Sequence, residues 1–247
     1  MGRFTEIVLA FAVIVRIVLN YICSNAPSEV GNVSPYTHST SVGFRRQDMI
    51  SHVAGLFTHP HKEWEEIRDT QESVSHLYFA HVLFLALIPP VSMYIGTTKV
   101  GWTIGNGAPV MLTESSAAIM SALMYLAMLT GVAVIGMFIN WMARTYDSSP
   151  GLARCIVFAA YTATPLFIAG LCALYPNVIL AMLVGIVAIF YTVYLLYMGI
   201  PIFMKIPEDE GFIYSSSILT IGLVMFVSIM AITVLIWSFG FGPAYAG

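Results

Sequence analysis

Six histidines, His38, His52, His59, His61, His76 and His81, lie ahead of residue 82 in this 247-residue chain, and they are the first candidates for chemistry. A metal centre would gather His59, His61, His76 and His81, with Glu72 as a further ligand. The spacing argues against it. His59 and His61 flank Pro60, while His76 and His81 are five residues apart, about 500° of helical rotation and so roughly 140° from one another. Neither an H-E-x-x-H pair nor a Cys/His framework occurs. The histidines read better as interfacial side chains near lipid headgroups. Cys23, Cys155 and Cys172 form no C-x-x-C pair. Cys155 and Cys172 fall on one expected helix, roughly 25 Å apart at about 1.5 Å per residue, which is too far for a disulfide.

The remaining signals are weaker. Gly101, Gly105 and Gly107 crowd the loop Gly96–Ser115, but a phosphate cradle needs a strand before it and a lysine-bearing helix after it. A flexible turn is the better reading. No Ser/His/Asp set, paired carboxylate or nucleotide signature occurs, so no catalytic, cofactor-binding or metal residue is assigned, and the chain is expected not to be an enzyme. Pro89-Pro90, Pro165 after Thr162 and Thr164, and Pro201 after Gly199 fall inside apolar runs. Broken helices can line a substrate path. A small-molecule or ion transporter or channel built around Pro89, Thr162, Thr164 and Pro165 is therefore the rival reading, although carboxylates are missing from the apolar runs. Tyr191, Tyr194 and Tyr197 form a stripe better explained by packing with satisfied hydroxyls than by a ligand groove. The pairs Ala117/Ser121, Ala127/Gly131, Ala159/Ala163, Ala169/Ala173 and Ala181/Gly185 suit close helix contact, within one chain or between copies.

The elements that must position these residues follow from composition. The chain is 58% hydrophobic and 9% charged, with ten Lys and Arg against thirteen Asp and Glu. A soluble domain has about 25% charged residues, so a disordered protein and a nucleic-acid partner are excluded, and the lipid bilayer is the expected partner. No Asp, Glu, Lys or Arg occurs between Glu114 and Arg144, between Arg154 and Lys205, or after Glu210. A spanning helix needs about 20 apolar residues. Five spans are expected, at Leu77–Ile95, Ser116–Trp141, Cys155–Tyr175, Val178–Ile202 and Ser217–Phe239, the last capped by Ser215-Ser216-Ser217. Pro176-Asn177 makes a tight hairpin between the third and fourth. Trp102, Trp141, Tyr175 and Trp237 sit where an interfacial aromatic belt would place them.

Orientation follows from the short loops. Arg45, Arg46, Lys62, Arg68, Arg144, Arg154 and Lys205 fall on one side, and Lys99 alone falls on the other. Residues 49–76 are thus expected to be cytoplasmic and the C-terminus outside. In that segment Pro60 suits the first turn of a helix, and Glu63, Glu65 and Glu66 complement its dipole. Trp64 and Ile67 share a side, with Val53, Leu56 and Phe57 upstream. A short amphipathic helix is expected, in the interface or docked on the ends of the spans. In residues 1–48, Ile7–Ile22 is apolar but interrupted by Arg16 and Asn20, and 24–48 reads as a disordered linker rich in Ser, Thr, Pro and Gly. The expected start of translation is Met49, with 1–48 an upstream extension; the second reading is a sixth, weakly inserted span.

Gly55-Leu-Phe-Thr-His-Pro60-His-Lys-Glu-Trp64-Glu-Glu-Ile67 resembles the opening segment of the Yip (Ypt/Rab-interacting protein) domain family. So do Tyr161-Thr-Ala-Thr-Pro165-Leu-Phe-Ile-Ala-Gly170 and Tyr197-Met-Gly199-Ile-Pro201-Ile-Phe203. The resemblance covers roughly residues 49–240. It implies an all-α integral membrane protein, with a five-helix membrane domain over 77–240 preceded by the amphipathic segment 49–76. Through the family's bacterial members it also implies the bacterial inner membrane, with a cytoplasmic N-terminal side and a periplasmic C-terminus. No catalytic or ligand residues come with it. The expected function is a non-enzymatic, membrane-organising or partner-binding protein.

Overall fold

The computed structural model describes residues 55–69, 82–103, 108–146, 148 and 150–246. The expectations for 1–48 lie outside the described residues, as do Val53, Glu72, His38, His52, His76 and His81. A helical turn at 55–58 leads into α1 (Pro60–Asp69). The bundle follows: α2 (Ile88–Ile95), α3 (Glu114–Ala143), α4 (Leu152–Ala169), α5 (Val178–Met204) and α6 (Glu208–Ile236). Five stretches of the described residues are long and apolar enough to cross a membrane, at Val82–Val100, Glu114–Tyr146, Leu152–Leu174, Val178–Met204 and Glu208–Gly240. They match the five expected spans in number and order. One end of the bundle carries α1, and the other carries a small two-stranded ribbon.

The breaks follow the prolines. A helical piece at 82–85 ends in a tightened turn, with Leu87 N donating to Phe84 O at 3.2 Å. α2 then restarts with Leu87 as its N-cap and proline in its first turn, where the missing N–H has no helical partner to lose. Pro165 lies inside α4, which runs on past it. The Thr162 hydroxyl donates to Phe158 O at 2.8 Å and that of Thr164 to Ala160 O at 3.2 Å. A left-handed Lys205 ends α5 four residues after Pro201. Asn177 caps the start of α5, its side chain accepting from Leu180 N at 3.1 Å, so the tight hairpin after α4 forms as expected.

Two expectations are corrected. The last span does not start at a serine cap. α6 begins at Glu208, with Glu208, Asp209 and Glu210 in its first turn, where unpaired N–H groups and the helix dipole favour acids. Ser216 and Ser217 sit inside it and donate to Phe212 O and Ile213 O. Nor is the loop Gly96–Ser115 merely a flexible turn. Trp102 and Val110 exchange backbone hydrogen bonds of 3.1 and 2.8 Å. β1 (Met111–Leu112) pairs antiparallel with β2 (Tyr245–Ala246) near the C-terminus. Gly101 has φ 72, and a Cβ there would lie 2.8 Å from Val110 O.

Helix contacts close where side chains are small. A Cβ on Gly136 would come within 2.6–2.9 Å of Ile156, joining α3 to α4 by backbone contact. Gly170 is filled by Pro89, and Gly211 by Pro201. Around these contacts lie Ile139, Phe158, Leu195, Ile200, Phe203 and Tyr214, all buried. The Tyr214 hydroxyl reaches Ile139 O at 2.5 Å.

Candidate functional site

α1 is a short helix with two unlike sides. Lys62 pairs with Glu66 at 3.5 Å, and His61 lies 3.9 Å from Glu65, both at helical i,i+4 spacing on the exposed side. The opposite side presents Trp64 and Ile67, with Leu56 from the preceding turn, and all three are buried. Glu63 is buried too, its carboxyl group filling the space where a Cβ at Gly55 would stand.

The receiving surface belongs to α4 and α5. The Trp64 ring lies 4.6 Å from that of Phe158, which in turn meets Phe203 at 5.1 Å. Gly199 makes the seat possible: a Cβ there would come 2.7 Å from Trp64 Cε2 and 2.8 Å from Phe158 Cε2. At the upstream end, the Tyr191 hydroxyl donates to Leu56 O at 2.7 Å, and the Phe57 ring stacks on that of Tyr191 at 5.2 Å. At the downstream end, Arg68 Nη1 donates to Ile202 O at 3.3 Å. Arg154 donates to the Arg68 carbonyl, and its guanidinium sits 5.6 Å over the Phe203 ring. Both arginines thus serve the carbonyl ends of helices, where cations are favoured. Arg68 also grips Asp69 through two hydrogen bonds of 2.7 and 2.9 Å. Those bonds hold the Asp69 carboxyl below its usual range, and the charges of Lys205 and Arg154 act in the same direction.

One atom of this seat is unpaired. Trp64 Nε1 is buried and has no hydrogen-bond partner among the described residues. Such a group weakens docking by about 1–3 kcal/mol relative to a paired one. Apolar burial of the ring is what holds the helix, since fully burying a large side chain contributes about 1.5–3 kcal/mol.

The other candidates resolve differently. His59 and His61 are exposed, and among the described residues no three His, Cys, Asp or Glu side chains gather as a metal would need. Pro89, Thr162, Thr164 and Pro165 are all buried: Pro89 packs against Gly170, and the threonine hydroxyls are spent on their own helix. Two tyrosines of the stripe pack as expected, Tyr191 bonded to Leu56 and Tyr197 sharing a 2.8 Å hydrogen bond with Ser216, while Tyr194 is exposed. Tyr194 adds a ring contact with Tyr191 at 5.7 Å. Of the small-residue pairs, Ala159 is buried, whereas nothing lies within 4 Å of a Cβ at Gly185. That Gly199 is the floor of the Trp64 seat is not legible in the sequence, where it stands only as the neighbour of Pro201 and one residue of the motif 197–203. The i to i+3 spacing of Trp64 and Ile67 was the signal that the helix had a buried face.

The family model described as the Yip1 domain matches residues 54–229, a stretch that includes α1, its seat, the first four spans and most of the fifth. Inner membrane protein YohC of Escherichia coli strain K12 is 50% identical over 192 residues, covering 78% of this chain and 98% of that protein. The protein of the same description from Escherichia coli O6:H1 matches over the same extent with the same identity. No solved structure matches this chain.

Proposed function

Because the chain belongs to the Yip1 domain family and is a multi-pass membrane protein, we propose that it is a non-enzymatic organiser of the bacterial inner membrane. It works through protein partners or lipids met by the exposed side of α1. The observation that carries this reading is the two-sidedness of α1. Trp64 and Ile67 fix the helix against α4 and α5, while His61, Lys62, Glu65 and Glu66 are left on the outer side as a mixed-charge surface. A rigidly seated polar surface is suited to recognition, since the order it needs for binding is already in place. The excess of Lys and Arg at the α1 end supports a cytoplasmic location for that end and a periplasmic one for the ribbon and C-terminus.

A photo-crosslinking side chain placed at Lys62 or at Glu66 tests the reading in whole membranes. A discrete protein or lipid product is expected at one or both positions, and it should disappear when Trp64→Asp undocks the helix. Protease protection of residues 52–72 should fall in the same variant. No product at either position, or unchanged protection in Trp64→Asp, would overturn the proposal.

A further inference from the structure

At the end of the bundle away from α1, the break in the first span opens a side pocket between it and α3. Leu87, Pro90, Val91 and Tyr94 line it from one helix, and Ser121, Ala122 and Tyr125 from the other, around a volume of about 260 Å³. Leu87 and Val91 are exposed on the outside of the bundle, so the pocket opens sideways, toward lipid rather than water. The surface it offers is wholly apolar. The Ser121 hydroxyl oxygen is enclosed behind the pocket wall and shows it no polar surface. Beside it, the Tyr125 hydroxyl donates to Leu83 O at 3.1 Å, serving a carbonyl whose helical donor, Leu87 N, has turned to Phe84 O.

Above the pocket stands a pair of opposite charges. Lys99 Nζ and Glu114 Oε1 are 2.9 Å apart and both exposed, at the ends of the same two helical segments that form the pocket. Ser121 lies seven residues below Glu114, roughly 10 Å along the helix. Headgroup and interfacial layers add about 5–8 Å to each side of the hydrocarbon. With the ion pair at headgroup level, the pocket beside Ser121 therefore falls at the upper acyl chains.

We propose that this column is a binding site for a zwitterionic glycerophospholipid: its phosphate meets Lys99, its amine meets Glu114, and one acyl chain fills the apolar pocket beside Pro90. The mixed sign at the rim selects the headgroup, because an anionic lipid would bring its charge against Glu114 without an amine to answer it. The pocket holds part of one chain, so the rest of the lipid remains in the bilayer. The site lies at the opposite end from α1 and stands or falls independently of it.

The full chain, purified in detergent, is mixed with equal amounts of phosphatidylethanolamine, phosphatidylglycerol and diacylglycerol and read by native mass spectrometry. The phosphatidylethanolamine adduct should exceed each of the others at least fivefold. Ala122→Phe, which fills the pocket, should reduce that adduct at least fivefold. Glu114→Gln, at the exposed rim, should bring phosphatidylethanolamine and phosphatidylglycerol within twofold of each other. If Ala122→Phe does not fold, Val91→Phe, at the exposed mouth of the pocket, reads the same site and should lose at least half the adduct. Equal retention of phosphatidylethanolamine and phosphatidylglycerol by the unaltered chain would overturn the headgroup assignment, as would diacylglycerol binding as well as either. An adduct unchanged by both pocket variants would overturn the site.

Discussion

Helix α5 is apolar from end to end, yet its two halves live in different surroundings. From Leu195 to Met204 it is protein interior, with Leu195 and Ile200 fully covered and Gly199 pressed against Trp64. From Val178 to Phe190 only Ala188 is buried, Val187 and Phe190 being 68% and 72% exposed, and a Cβ on Gly185 would touch nothing. Hydrocarbon is as apolar as a leucine side chain, so neither half is out of place in a membrane. What separates them is shape. The covered half is where another element, α1, brings an aromatic ring to a glycine, and the bare half faces lipid with its full complement of branched side chains.

Removing the ring is the harshest way to break that contrast. Trp64→Ala should destabilise docking of α1 by about 3–5 kcal/mol, the usual cost of truncating a buried aromatic residue, read as loss of protease protection around residues 60–69. Trp64→Phe should cost less than a third as much, because it also removes the unpaired Nε1–H. A Phe variant as damaging as the Ala variant would mean that Nε1 has a partner and that the ring is not the main holdfast. Next in size is the pair Gly199→Leu and Gly185→Leu. The first has no space and should weaken the fold by about 2–3 kcal/mol. The second changes an open lipid-facing position and should stay within about 0.5 kcal/mol. Thermal unfolding in the same detergent separates them, and equal shifts would show that the two halves of α5 are not differently packed.

How far the sequence foretells this division depends on the kind of signal. The five spans are legible because charge vanishes over long stretches, a property of the chain that needs no knowledge of neighbours. The docking face of α1 is legible for a similar reason: Trp64 and Ile67 repeat at helical spacing on an otherwise charged segment. The start of α6 is misread because a search for uncharged runs stops at Glu208–Glu210, the acids that suit a first turn. β1 and β2 join residues 111–112 to residues 245–246, and two-residue strands that far apart leave no periodic trace. The glycines are least legible of all. Gly136, Gly170 and Gly199 matter because of Ile156, Pro89 and Trp64, and nothing local distinguishes them from Gly185, whose spacing from Ala181 suits close helix contact. Of the lipid pocket, only the proline break could be read in advance. Its partner helix is fixed only once the chain is folded.

A smaller effect sharpens the comparison within the tyrosine stripe. Tyr191 and Tyr194 lie three residues apart on α5, but only the Tyr191 hydroxyl reaches α1, at Leu56 O. Tyr191→Phe should therefore weaken docking by about 0.6–1 kcal/mol, the range for one hydrogen bond in such surroundings. Tyr194→Phe should leave protection of α1 unchanged. Matching losses in the two variants would place the effect in the aromatic contact between them rather than in the bond to the backbone.

The smallest effect belongs to the charged edge of the same seat. Asp69 has its carboxyl pKa lowered from 3.8, first through its hydrogen bonds from Arg68. A lowered carboxyl pKa stabilises the folded state fully above the unfolded value, and that contribution is lost as pH falls through the folded one. Docking of α1 should thus be flat from neutral pH down to about 4 as far as Asp69 is concerned, and should weaken slightly below it. Asp69→Asn should remove its part of that acid step while changing neutral docking little, because an exposed ion pair is screened by water. Raising salt should mimic the variant and leave the Trp64 contribution untouched, since apolar burial does not depend on screening at moderate ionic strength. Hydrogen exchange of the α1 amides across pH 3–7, with and without salt, reads both contributions in one series. An acid step that survives in Asp69→Asn at full size would show that the step does not arise at the Asp69 carboxylate.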